Sequence, residues 1–307
     1  MSNLEQGVRF QYIGEQGLDL DGIKRDTFTL FWRQSGSRFL EGEDSSFVPR
    51  ATGLTRDQYV ILGRILSYGY ATAGIFPSFL NRVYVQAMLC GENSLTENNL
   101  IQGILDYLPV YDRERILRIM SSPSNLLPED TEFLLDFASR GGVTMYATRN
   151  NVGDIVSMVA TTILVNEPMH TMSKLKEGML QIPGCHRIWS GIKVEELHEL
   201  YNELLPSPEK VAALLTGVCQ NREEERVFSF VRRYVRSLSQ EKCITFLRWV
   251  TGSETLTVPK INVQFHRSTE EEPYPRAHVC GAVFDISSRG YDTYRKFCQI
   301  MDSVLRN

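Results

Sequence analysis

The chain has 307 residues, of which 42% are hydrophobic and 23% charged, with a net charge of −4. This is the composition of a globular protein with ample core for two domains or one large one. It lacks the basic excess of nucleic-acid binders, and no apolar run reaches the roughly 18–20 residues of a membrane span.

The opening, "MSNLEQGVRFQY", has no apolar signal core and predicts no secretion signal. The following "VRFQYIGEQGLDLDGIKRDTFTLFW" reads as a short strand, a glycine-rich turn and a helix whose first turns run from Arg25 to Trp32. Glu15, Asp19 and Arg25 could form an ion-pair network around that turn. Residues 42–57 read as a polar loop, with Thr55 or Asp57 capping the next helix. The apolar stretch 58–91 predicts two core helices broken at Pro77 and stopped at Gly91.

Three short helices follow over 94–142, punctuated by Pro109, Pro123 and Pro128, with Ser94 and Glu97 at capping-box spacing. "VTMYATRNN" is a strand or a loop, and 152–182 gives two helices around Pro168. Pro206-Ser207-Pro208 stops the next helix and biases Ser207 toward extended backbone, which marks a domain boundary. Helical segments continue to about Trp249. "KINVQFH" then alternates Ile261, Val263 and Phe265 as a half-buried strand, and "HVCGAVFDI" predicts a second. The chain closes on a helix with Tyr294, Phe297, Cys298, Met301 and Leu305 on one face. The fold class is therefore α+β, mainly helical before the boundary and mixed after it.

The six cysteines are scattered and form no CxxC pair. That usage predicts reduced thiols in the cytosol or nucleus, without disulfides. No zinc site is expected, because His278 with Cys280, or Cys185 with His186, supplies two ligands where a structural zinc takes four. No cofactor is expected. Buried free cysteine ordinarily acts as a small hydrophobe. Cys280 differs because it follows the acidic, proline-broken "TEEEPYPRAH", which should cross the surface before entering a strand.

On a strand, His278 and Cys280 would share a face with Cβ atoms about 6–7 Å apart. That is too far for a direct nucleophile–base hydrogen bond, so His278 is read as support for the loop. Thiol exchange between thioesters needs no strong base. A thiol of pKa about 8.5 is already a few per cent thiolate at pH 7, and swapping similar thiolates is nearly balanced in energy. What it requires is position. A cysteine hydrolase would instead need His170 or His198 beside Cys280.

At this point "YPRAHVC" (274–280) resembles the "LPxAHTC" segment of HECT-type ubiquitin ligases, with "FDI" at 284–286 in place of "LDL". "FLRWVTGSETL" (246–256) resembles that family's "LLQFVTG", and "YDTYRKFCQIMDSVL" its last helix. "FQYIGEQGLDLDGIKRDTF", "LGRILSYGYATAGIFPSFL" and "SKLKEGM" are similar to its opening, its early helix and its "AF.EGF" segment. The matches run in family order over nearly the whole chain.

The resemblance implies a bilobal protein: a mainly helical N-lobe, 1–205, that docks a ubiquitin-conjugating enzyme, and a smaller α+β C-lobe, 206–307, joined by a hinge. It implies that Cys280 takes ubiquitin as a thioester and passes it to a lysine of a protein substrate. No nucleic acid and no membrane enter as partners. The docking insert is reduced to about 121–150, a shortened form like that of the animal G2/M-phase-specific ligases. Val279 stands where the family usually has threonine, Gly281 and Ala282 replace its Phe-Asn, and Val304 stands where its tail often has phenylalanine. These departures favour loading of Cys280 over discharge, and they open a second reading: a degenerate module that binds ubiquitin or a conjugating enzyme without transfer. "REEERVFSFVRRYVR" (222–236) reads as a solvated helix face, with a surface for ubiquitin or the other lobe as the alternative. Trp189 and Trp249 read as core.

Overall fold

A computed structural model describes residues 10, 21–43, 46–49, 54–122, 126–267 and 274–306, without the side chain of Ser37. The strand and glycine-rich turn expected at the start lie, Phe10 aside, outside the described residues. Helix α1 runs Gly22–Phe39. The loop expected over 42–57 is in part a hairpin, β1 Leu40–Glu43 antiparallel to β2 Ser46–Pro49. Its polar composition hides an inward side: Leu40 and Val48 are buried, and the Phe47 N–H donates to Phe79 O at 2.8 Å.

Helix α2 is Arg56–Ala73 and α3 is Arg82–Cys90, with Pro77 in the break between them as expected. Thr55 caps α2 through a reciprocal pair: Gln58 N donates to Thr55 Oγ1 at 3.4 Å, and Thr55 N to Gln58 Oε1 at 2.8 Å. Asn81 caps α3, accepting from the Val83 and Tyr84 amides, while its Nδ2 donates to Ser46 Oγ and Gly103 O, both at 2.8 Å.

Helices α4 Glu97–Tyr107, α5 Val110–Ser121 and α6 Pro128–Arg140 are the three proline-punctuated helices. The capping box that starts α4 is Thr96 with Asn99, not Ser94 with Glu97. Ser94 instead ends a 3-10 turn, Glu92–Ser94, and its hydroxyl donates to Gly91 O. Residues 143–148 form a loop. Helix α7 Val152–Thr161 continues as a π turn, Thr162–Asn166, before α8 Met169–Leu180. Gly63 and Gly178 let α2 and α8 touch backbone to backbone, since a Cβ at either would strike Leu175 O or Val60 O. Helices α9 His186–Ser190 and α10 Val194–Leu204 follow.

Ser207 is extended (φ −133, ψ 158), as its two prolines dictate, and caps α11 Pro208–Leu214. Then come β3 Leu215–Thr216, α12 Arg222–Arg236, α13 Gln240–Thr251, β4 Ile261–His266, β5 Arg276–His278, β6 Val283–Ser287 and α14 Tyr294–Val304. The sheet order is β3-β4-β6-β5, parallel except where β5 runs against β6. Ile261 and Val263, with Phe284 and Ile286, are buried against Val227, Val231, Phe246, Leu247, Phe297 and Met301 of the helices. Among the described residues, this core's buried members come from residues 211–301. Trp189 is fully buried and Trp249 packs against the same C-terminal core, as expected of both.

Two compact units divide the chain. One gathers residues 1–31, 69–76 and 200–307; the other holds 32–68 and 77–199. Among the described residues no helix is long and apolar enough to cross a membrane.

Candidate active site

Cys280 does not stand on a strand. His278 ends β5 with its backbone opposite Val283 of β6, and Val279–Gly281 is a 3-10 turn between the two strands. Ala282 closes the turn in the left-handed region (φ 48, ψ 50), which reverses the chain into β6. The alternation read at Ala282, Phe284 and Ile286 survives as burial, at 4%, 0% and 0% exposure. The same-face strand geometry expected for His278 and Cys280 does not apply, because Cys280 has already left the pleat. His278 is exposed and Cys280 half-buried. Among the described residues, neither side chain has a hydrogen-bond partner.

Two helix ends meet this turn within one compact unit. At the start of α1, Asp21 adopts φ 70, and Gly22 lies against the Cys280 backbone. A Cβ on residue 22 would sit 2.5 Å from Cys280 Cα and 2.6 Å from its N, so the approach requires glycine. At the end of α13, Gly252 takes the left-handed cap position at φ 75, and a Cβ there would meet Val279 Cγ1 at 2.7 Å.

Arg25 joins all three segments. It is 8% exposed; its Nε donates to Thr251 O and its Nη2 to Val279 O, both at 2.9 Å. Val279 O also accepts from the Ala282 N–H at 3.2 Å, and Ala282 O accepts from Asn262 N at 2.9 Å. The turn is thus bonded to α1, α13 and β4. Of the ion-pair network expected around Arg25, Glu15 and Asp19 lie outside the described residues.

The other cysteines have structural surroundings. Burial pushes the Cys243 thiol up to about 11 and raises Cys90 and Cys219 as well, which starves them of thiolate at neutral pH. Cys185 is 2% exposed and donates to Ser67 O at 3.7 Å. All six thiols are free.

The histidines weighed as bases are engaged elsewhere or solvated. His198 Nε2 is 3.1 Å from Gln86 Oε1, and His170 is exposed. Among the described residues no group of three or more His, Cys, Asp or Glu is placed to hold a metal ion. A thiol with a pinned backbone and no bonded base suits exchange between thioesters, where position matters more than proton abstraction.

Sequence reasoning singled out Cys280 and His278 but missed Gly22, Gly252 and the true partners of Arg25. The signal was present in the three segments "DGIKRD", "VTG" and "AHVC", which lie far apart in sequence and meet here. The family model described as HECT-domain (ubiquitin-transferase) matches residues 21–302. No curated protein matches the chain.

Proposed function

Since the chain belongs to the HECT family of ubiquitin transferases, we propose that it accepts ubiquitin on Cys280 and passes it to a lysine of a protein substrate. The observation that carries this reading is the convergence of Gly22, Arg25, Thr251 and Gly252 on the Cys280 turn. In loading, the Cys280 thiolate attacks the carbonyl carbon of the thioester on the conjugating enzyme. A new C–S bond forms, the old one breaks, and the enzyme's cysteine leaves as thiolate. The proton shed by Cys280 is matched by the one that thiolate takes up. His278, exposed at the strand end, supports the loop.

The lobe boundary at Pro206 is supported by the C-terminal core, whose buried members among the described residues run from Val211 to Met301. We place conjugating-enzyme docking on the reduced insert at 121–150, where Leu127, Leu135 and Tyr146 are exposed at 52%, 40% and 65%. Loss of loading in Leu127→Asp with Leu135→Asp, in a protein that still melts cooperatively, is the expected result. The six free thiols suit a reducing cytosolic or nuclear setting.

The test is incubation with activating enzyme, a panel of conjugating enzymes and ubiquitin, read on a non-reducing gel. A reducible adduct that disappears in Cys280→Ser is the expected outcome. No adduct with any conjugating enzyme, or one that survives Cys280→Ser, sinks the proposal. The second reading, binding without transfer, is favoured by Val279 and by the strained Ala282 where the family has other residues. Ubiquitin or conjugating-enzyme binding without an adduct would establish it.

A further inference from the structure

We infer that Arg25 is a positioning residue for Cys280, acting in loading and in the discharge of ubiquitin to the acceptor amine. This rests on the reading of Cys280 as the thioester site. Arg25 lies 254 positions from Val279 in sequence, yet its guanidinium is buried and spends two donors on two main-chain carbonyls. One is Thr251 O at the end of α13; the other is Val279 O, the carbonyl of the peptide bond that leads into Cys280. A guanidinium holds its donors in one plane, so bonding both carbonyls sets the distance and angle between the α13 end and the turn. Gly22 closes the remaining side, its bare Cα against the Cys280 backbone. Sγ has only χ1 left to vary once that backbone is held, and an error of about 1 Å in a reacting atom costs on the order of 100-fold in rate.

The unit that contains the clamp also contains Cys280, while the 121–150 segment belongs to the other unit. The clamp therefore holds Sγ in the loading step and also, without a docked conjugating enzyme, in discharge. In that step a neutral lysine amine attacks the thioester carbonyl. A C–N bond forms and the C–S bond breaks, with its electron pair going to Cys280 Sγ. The nitrogen gives up one proton and the thiolate takes one up, so charge balances through solvent.

The experiment uses the full chain as wild type, Arg25→Ala and Arg25→Lys, loaded with ubiquitin, separated from conjugating enzyme and mixed with free lysine. Expected for Arg25→Ala are loading and discharge both at least about tenfold slower than wild type, since the same Sγ reacts in each. Arg25→Lys keeps the charge but cannot bridge both carbonyls, and its discharge rate should fall between the two. A merely structural role would speed amide exchange throughout the chain rather than at the turn, and that result overturns the inference. So does discharge at or above the wild-type rate in Arg25→Ala. Amide hydrogen exchange on the unloaded proteins gives a readout free of ubiquitin. Faster uptake confined to residues 276–283 in Arg25→Ala is expected, and unchanged uptake there refutes the clamp. If wild-type protein never forms a Cys280 adduct, the transfer reading fails on that result, and the exchange data still decide whether Arg25 holds the turn.

Discussion

Gly252 carries two constraints at one position, a left-handed φ of 75 and a Val279 methyl where its Cβ would be. Gly252→Ala should lower stability by about 1–3 kcal/mol in urea denaturation. It should also slow adduct formation, because relief of the clash moves the turn that carries Cys280. Ala282 shows the opposite imbalance. It holds φ 48 with a Cβ that disfavours that region. Ala282→Gly should raise stability by about 0.5–1 kcal/mol, since the glycine removes more strain than it adds unfolded-state entropy. A lower urea midpoint in Ala282→Gly would show that Ala282 is not strained. The family's Asn at this place suits a left-handed turn, so its replacement by Ala282 carries a local backbone cost.

At the scale of elements, buried ion pairs, caps and aromatic contacts tie the helices together. Asp130 near the start of α6 is 2% exposed and accepts from Arg118 Nη2 at 2.5 Å and Arg115 Nε at 3.3 Å. The Arg118 hydrogen bond holds the Asp130 carboxyl below its usual range. A carboxyl with a depressed folded pKa contributes stability above its unfolded value, about 3.9, and loses it as pH falls through the folded value. Asp130→Asn should therefore lower the melting temperature at pH 7, and the difference should close only as the pH drops below about 4. Asn81 joins the hairpin, α3 and α4 through one buried amide. Asn81→Ala should cost about 2–3 kcal/mol, the loss of a cap plus unsatisfied partners, measurable as a lower melting temperature. Phe284 of β6 meets Phe246 and Trp249 edge to face at 5.8 and 5.5 Å. Helix α14 is tied in by Tyr234 Oη and Lys242 Nζ, both donating to Asp302 Oδ1.

For the whole molecule, the C-terminal core's buried members among the described residues come from 211–301. A fragment of residues 206–307 should fold alone and melt cooperatively by circular dichroism. A noncooperative melt would show that the boundary at Pro206 cuts through a folding unit. In that fragment the Cys280 turn would lose Gly22 and Arg25, so faster hydrogen exchange at 276–283 is expected there too. Periodicity and punctuation in the sequence by themselves determined the helices around Pro77, Pro109 and Pro168, the extended Ser207 and the strand Ile261–His266, because those features depend on neighbours within one or two turns. The polar hairpin at 40–49 was hidden, since its burial depends on Phe79 and Asn81, some thirty residues away. Cys280 was legible as a candidate because its surroundings in sequence are unusual. Only the tertiary structure decided that it sits on a turn, and that Gly22, Arg25 and Gly252 hold it. Those contacts join residues more than two hundred positions apart, in the case of Gly22 and Arg25, and no local pattern encodes the distance between them.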